Sequence, residues 1–281
     1  MISLHAKSID IQGSTKIISL ILLDFLEGLG QSSKKPRSQF STRFMTGTLE
    51  MDGWSRLGPL TLREGETAQA QIYSCLREAL ISGYFRPGEE ISLRHTAKVL
   101  GTSVTPVREA LRQLESDGGL EVWGGNRVLR VPILSEAELT DIRDIRLNLE
   151  GFAATLAIEN VTASQIRLIA NACAMMRRAS DEGNADRYLE SNWRFHKLIY
   201  AAAHRPVLMG VIEGMWLRVG PLIRHAVKAP HHLNRSMEHH DRAEQALRDR
   251  DGAALREAIV QDISDAAADL GATLKRYEQG G

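Results

Sequence analysis

Asn192 and His196 stand four residues apart in SNWRFHKLIYAAA, a segment whose apolar residues recur at helical spacing. Side chains one turn apart share a helix face, so an amide and an imidazole point toward the same place. Two such groups can share one cation, and imidazole favours zinc, nickel, copper or iron. Arg146, in DIRLNLE, offers a different chemistry. Its planar fork can take a carboxylate bidentately, or it can pair with Glu150 one turn on, which on an exposed face is worth only about 0.2–0.5 kcal/mol. Arg218, in the apolar stretch MWLRV, is a second candidate clamp for an anionic ligand. A third set comprises Thr105, Arg108, Arg112 and Gln113. These form the outward face of a short helix whose buried stripe is Val107, Ala110, Leu111 and Leu114. His204, His225, His231 and His232 have no comparable spacing and read as ordinary residues, and Trp193, Phe195 and Trp216 read as core.

The elements that must position these groups can be taken in order. A helix over Thr67–Ser82 ends at Gly83, and Tyr84–Gly88 turns the chain into a short strand, Glu89–Ile91. Ser92 caps a second helix with Leu93, Ala97 and Leu100 on one face, and Gly101 stops it. Ser103 or Thr105 caps the third, where Pro106 in the first turn costs no hydrogen bond. Gly118 and Gly119 end that helix, and LEVW-GGN-RVLRV alternates about a Gly-Gly turn as a hairpin. Together these make a winged helix-turn-helix whose last helix can enter a DNA major groove. Beyond Val131-Pro132-Ile133 the pattern becomes long amphipathic helices. They are expected over 139–159 (with a capped start at Ser135), 162–182, 185–203, 206–227, 235–249 and 252–276. The fold class is therefore mainly α: residues 66–131 as the DNA-binding domain, 132–134 as linker, and 135–277 as an all-α bundle with a ligand site of inward polar residues.

The totals constrain this further. A chain of 281 residues can hold two modest domains. Lys and Arg number 35 and Asp and Glu 35, so no global basic field announces nucleic acid and a local patch must do that work. Cys75 and Cys173 lack the spacing of a zinc module or a disulfide framework and are expected to be reduced. No apolar run approaches the ~20 residues a membrane span needs, which points to a cytoplasmic protein without a membrane partner. Residues 1–65 read as a disordered or mis-assigned extension. Ile17–Leu23 makes a poor secretory signal, Ser32–Arg43 is polar and basic, and Met45 and Met51 are alternative starts.

SLRHTAKVLGTSVTPVREALRQLESDG, with ISGYFRPGEEIS ahead of it, resembles the N-terminal domain of GntR-family transcriptional regulators. The resemblance implies that Arg94, Ser103, Thr105 and Arg108 face phosphates or bases, and that Gly125 at the wing tip approaches the minor groove. Val104 departs from the family, which often has a DNA-contacting arginine there. DIRDIRLNLEGFAATLA, SNWRFHKLIYAAAHRPVL and EHHDRAEQALRDRDGAALREAI, in that order, resemble the FCD ligand-binding domain of the FadR subfamily. That resemblance implies a divalent-metal set of Asn192, His196, His240 and Asp262, with zinc or nickel as the cofactor. His239 competes with His240, and Asp262 stands where the family has histidine. It also implies a homodimer on an imperfectly palindromic double-stranded operator, a small organic-acid or sugar-acid effector, and most often repression. Two alternatives accompany this non-enzymatic reading. The departures at Asn192 and Asp262 suit a regulator with a vestigial, metal-free pocket, and a bundle metal that activates water suits a metal-dependent enzyme.

Overall fold

Thr67 opens the first helix. Its hydroxyl accepts from the Ala70 amide, and α1 (Ala68–Ile81) buries Ile72, Leu76, Ala79 and Leu80. This computed structural model describes residues 53–124, 128–226 and 230–279, all within one compact unit. Ser92 caps α2 (Leu93–Val99), and Gly101, at φ +62°, turns the chain into α3 (Val104–Ser116). Ser103 is the N-cap residue of α3, and Thr105 lies inside the first turn. The wing is antiparallel, with β1 (Glu90–Ile91), β2 (Glu121–Trp123) and β3 (Val128–Arg130) in the order β1-β3-β2. Arg130 locks it, pairing with Glu121 at 2.7 Å and lying 3.2 Å from the Trp123 ring centroid.

Part of the expected extension is ordered against the head. Residues 53–56 form a 3-10 turn whose Trp54 is buried, edge-on to Phe85 and His95 with centroids 4.8 and 4.9 Å apart. A single tryptophan in a polar segment has no periodicity to reveal it. Residues 1–52, including the basic Ser32–Arg43 stretch, lie outside the described residues.

Six bundle helices follow. Capping boxes at Ser135/Glu138 and Thr162/Gln165 start α4 (Glu136–Asn160) and α5 (Ala163–Asp181). Then come α6 (Ala185–Ala201), α7 (Pro206–Ala226), α8 (Pro230–Asp249) and α9 (Gly252–Gln279). The α8 helix begins five residues ahead of the expected Arg235, with proline in the first-turn position it tolerates. Long contacts join α4 to α9, α5 to α6, and α8 to both α5 and α9. Cys75 and Cys173 are both free.

The α7 helix overturns the expectation of no spanning-length apolar run. Pro206–Arg224 has 19 residues and mean hydropathy 1.3. Its apolarity serves packing here, because it contacts α4, α6 and α9 on the bundle side and α1 of the head. Ile212, Trp216, Leu217, Val219 and Leu222 are all buried.

The seam between head and bundle is a close backbone approach. A Cβ on Gly220 would lie 2.4 Å from the Ile81 carbonyl oxygen, and one on Gly83 would lie 3.0 Å from the Gly220 oxygen. Only glycine fits that crossing. Gly220→Ala should therefore cost about 1–3 kcal/mol by denaturant unfolding. Gly214→Ala, on the same helix with nothing within 4 Å of the added carbon, should gain about 0.5–1 kcal/mol. Equal effects at the two positions would contradict this account of the seam.

Candidate metal centre and nucleic-acid interface

A row of polar side chains runs along one face of α6. Tyr188, Asn192, His196 and Tyr200 recur every four residues, and all four are buried. Two of them, Asn192 and His196, were legible in the sequence. The tyrosines extend the same row in both directions and could have been found by continuing the count.

Glu150 of α4 anchors the far end of the row. Its carboxylate is fully buried and accepts from Arg146 Nε at 2.6 Å, Tyr200 Oη at 2.5 Å and Trp216 Nε1 at 3.1 Å. The Arg146–Glu150 pair expected on a helix surface is thus inside the core, where removing either charge leaves the other uncompensated. Arg146 also stacks on Trp216, 4.5 Å from the ring centroid.

This network fixes the imidazole tautomers. The single Tyr200 hydroxyl proton goes to Glu150, so toward His196 Nδ1, 3.0 Å away, that oxygen can only accept. His196 therefore carries its proton on Nδ1. His240 Nδ1 lies 2.6 Å from the Ser236 carbonyl oxygen, which also can only accept. With the Nδ1 positions so occupied, the two Nε2 atoms are the ones left to take a proton or a cation, and they face each other at 3.2 Å. Asp262 adds a carboxylate oxygen 3.3 Å from His196 Nε2, and its other oxygen accepts from Ser236 Oγ at 2.8 Å.

Three acceptors converging with no donor between them is unfavourable unless a positive charge lies there. A proton can serve two of them, whereas a divalent cation serves all three. Ligands about 2.0–2.1 Å from one tetrahedral zinc ion are about 3.3–3.5 Å apart, and the three groups keep their ligand atoms within 4.8 Å of one another. The donor set fits such an ion.

The electrostatics agree in direction. Burial pushes the His240 imidazole down from its usual range, helped by His196 and opposed by Asp262. Burial by itself raises Asp262, but the His240 charge and then the His196 contacts outweigh it and hold the carboxyl well below the usual range. That depression belongs to the state with positive charge on the imidazoles, and a cation in the same place acts in the same sense.

A cavity of about 60 Å³ opens beside the centre, with Arg146, Tyr188, Asn192 and Asp262 in its wall and Arg235 and Asp269 among its lining. His239 is not part of the cluster: it faces Asp265 at 2.8 Å and Arg242. Arg218 is a correction. It is a third exposed, pairs with Glu138 at 3.3 Å and packs beside Gly118 of the head, away from the cavity. Its place on an apolar helix suggested a clamp for a ligand carboxylate, but α7 divides its faces between bundle and head. The side chains of His225, His231 and His232 lie outside the described residues.

On the head, Arg94, Ser103, Thr105 and Arg108 are exposed along α2 and the start of α3. Among the described residues Arg94 and Arg108 make no ion pair, whereas Arg112 pairs with Glu109 and Gln113 accepts from Gln69. Gly125 at the wing tip lies outside the described residues.

Residues 68–129 match the model for bacterial regulatory proteins of the gntR family, and residues 141–265 match the FCD domain. The HTH-type transcriptional regulator McbR of Escherichia coli (strain K12) is 30% identical over 193 residues, covering 68% of this chain and 87% of that protein. The chain belongs to the GntR family. The solved structure of E. coli McbR/YncC is similar at TM-score 0.69 and 28% identity, covering 77% of this chain and 100% of that one. A putative GntR regulator from Rhodococcus sp. RHA1 shares the fold at TM-score 0.60 and 18% identity. A probable D-xylose utilization operon transcriptional repressor of Paenarthrobacter nicotinovorans is 29% identical, covering 54% of this chain and 67% of that protein. The GntR protein described here is a DNA-binding transcriptional regulator with a winged helix-turn-helix head and an FCD bundle.

Two outcomes follow. Arg108→Ala should weaken operator binding by about 1–3 kcal/mol and relax specificity at one base pair. Wild-type binding across a salt series would contradict the placement of α3 in the groove. Because folded His240 resists protonation, the metal-free protein should lose stability as pH falls below about 6.5, where the unfolded imidazole takes up its proton. His240→Asn should flatten the fall in stability below about pH 6.5. An unchanged slope would place that proton uptake elsewhere.

Proposed function

We propose that this regulator senses a small organic or sugar acid through a divalent cation held by His196, His240 and Asp262. Asn192 is a further oxygen donor on the same row. The observation that carries the proposal is the convergence of two imidazole Nε2 atoms and a carboxylate beside a cavity that also presents Arg146. When bound, the cation supplies the positive charge that offsets burial of an effector carboxylate. Arg146 supports the same end: Glu150 holds its Nε, so the rest of the fork is fixed for a second oxygen. Zinc or nickel suits a site with two imidazoles.

The response to effector runs through α7 and α4. Trp216 of α7 donates to the same Glu150 that orders Tyr200 and His196, and the opposite side of α7 carries the head. The bundle connects to β3 through Val131-Pro132-Ile133, whose Val131 is bonded both ways to the head at Gly88 and Glu89. Only a difference in effector affinity between two head arrangements can change operator binding, typically by ~1–3 kcal/mol of coupling. We further propose that the protein acts in the cytoplasm as a homodimeric repressor on an imperfect palindrome, since two recognition helices supply symmetry and affinity together. The xylose-operon relative bears the name of a repressor. Ile145, Leu149, Phe152 and Leu156 form a half-exposed apolar stripe along α4 suited to a second copy.

The test is metal analysis with thermal shift. Wild-type protein should carry about one zinc or nickel ion per chain, and an acid effector at 100 times its dissociation constant should add ~2.7 kcal/mol. His196→Ala combined with His240→Ala should lose both the metal and the shift, while Arg108→Ala keeps the metal. Metal retained by the double variant would put the site in the wrong place.

A further inference from the structure

Tyr188 poses a question that the metal centre does not answer. It is 2% exposed and lines the cavity, yet its hydroxyl has no hydrogen-bond partner. Ser236 lies beside it and gives its own proton to Asp262, but its oxygen is not within hydrogen-bond geometry of the Tyr188 hydroxyl. Other polar groups around the same cavity are engaged: Arg146 with Glu150, and Arg235 with Asp265 and Asp269. A buried hydroxyl without a partner is unfavourable and uncommon in a folded protein, so an orphan in a cavity wall needs an explanation. Burial, and then the charge of Asp262, push the phenol up against a smaller lowering from the Ser236 hydroxyl, so it keeps its proton and is a donor.

Tyr188 sits four residues before Asn192 and eight before His196 on the same face of α6. Its donor is therefore offered to a ligand whose carboxylate is held at Arg146 and the His196–His240–Asp262 centre. What it lacks is an acceptor oxygen close to that carboxylate. The cavity, about 60 Å³, holds on the order of four to six water-sized groups, which suits a three- or four-carbon acid.

Resting on the effector reading above, we infer that Tyr188 is a specificity-determining residue. The effector it selects is a small acid with an oxygen next to the carboxylate, of the 2-hydroxy or 2-oxo class. A pocket built to hydrogen-bond a ligand oxygen rejects the analogue lacking it, because its own buried group is then left unpaired.

The experiment uses two pairs of acids that differ by one hydroxyl, lactate against propionate and malate against succinate. Each is titrated by thermal shift against zinc-loaded full-length wild-type protein and Tyr188→Phe. Wild type should bind at least one hydroxy acid about tenfold or more tighter than its partner, and Tyr188→Phe should bring that ratio to about one. Without ligand, Tyr188→Phe should melt at or above wild type, since it deletes an unpaired group. A preference that survives in Tyr188→Phe overturns the inference, as does equal binding within both pairs by wild type. A fall of several degrees in the unliganded variant also overturns it, by showing that the hydroxyl has a structural partner. Those three results leave the acid-sensing reading standing. No shift by any of the four acids removes that reading and this inference together.

Discussion

A single buried carboxylate organises the bundle. Glu150 is fully buried, and an unpaired charge there would be prohibitive, so donors must be brought to it. They come from three directions: Arg146 on its own helix, Tyr200 on α6 and Trp216 on α7. Each bond has a second consequence. The first turns an arginine fork into a fixed part of a cavity wall, and the second sets the tautomer of His196, so that its free lone pair points at His240. The third ties the site to the helix that carries the DNA-binding head. Two of the partners that neutralise it, Arg146 and Trp216, also line the cavity beside the His196–His240–Asp262 cluster.

The head rests on the bundle through a close backbone crossing ringed by charged pairs. Gly83 and Gly220 bring backbone against backbone, while charged pairs surround the crossing. Arg77 meets Glu213 at 2.9 Å, and Asp186 of α6 takes both Arg224 and Arg56. Arg56 belongs to the ordered turn ahead of α1, so the segment before the helix-turn-helix also spans head and bundle. Its Trp54 fixes it to the head, while its arginine reaches the start of the helix carrying Asn192 and His196.

What was legible in the sequence was local. Capping residues, helix stripes and the glycines after α1, α2 and α3 placed the elements, and a four-residue spacing put Asn192 and His196 on one face. Family resemblance, with its order of segments, pointed to His240 and Asp262. The rest depended on pairings across 50 and 66 residues, Tyr200 and Trp216 with Glu150, which no local period encodes. Arg146 and Glu150 had the right spacing, but a spacing rule says nothing about burial. Arg218 misled because an arginine on an apolar face can border a pocket or a domain seam, and α7 has both. Trp54 was missed because one aromatic residue in a polar stretch makes no pattern.

In the proposed metal centre, His196, His240 and Asp262 converge because a cation belongs between them. Anomalous diffraction at the zinc edge, from crystals grown with stoichiometric zinc, addresses it directly. The account predicts one strong peak per chain, about 2.0–2.1 Å from both His196 Nε2 and His240 Nε2 and within coordinating reach of Asp262. A peak at His239 or elsewhere, or none in the bundle, would contradict it.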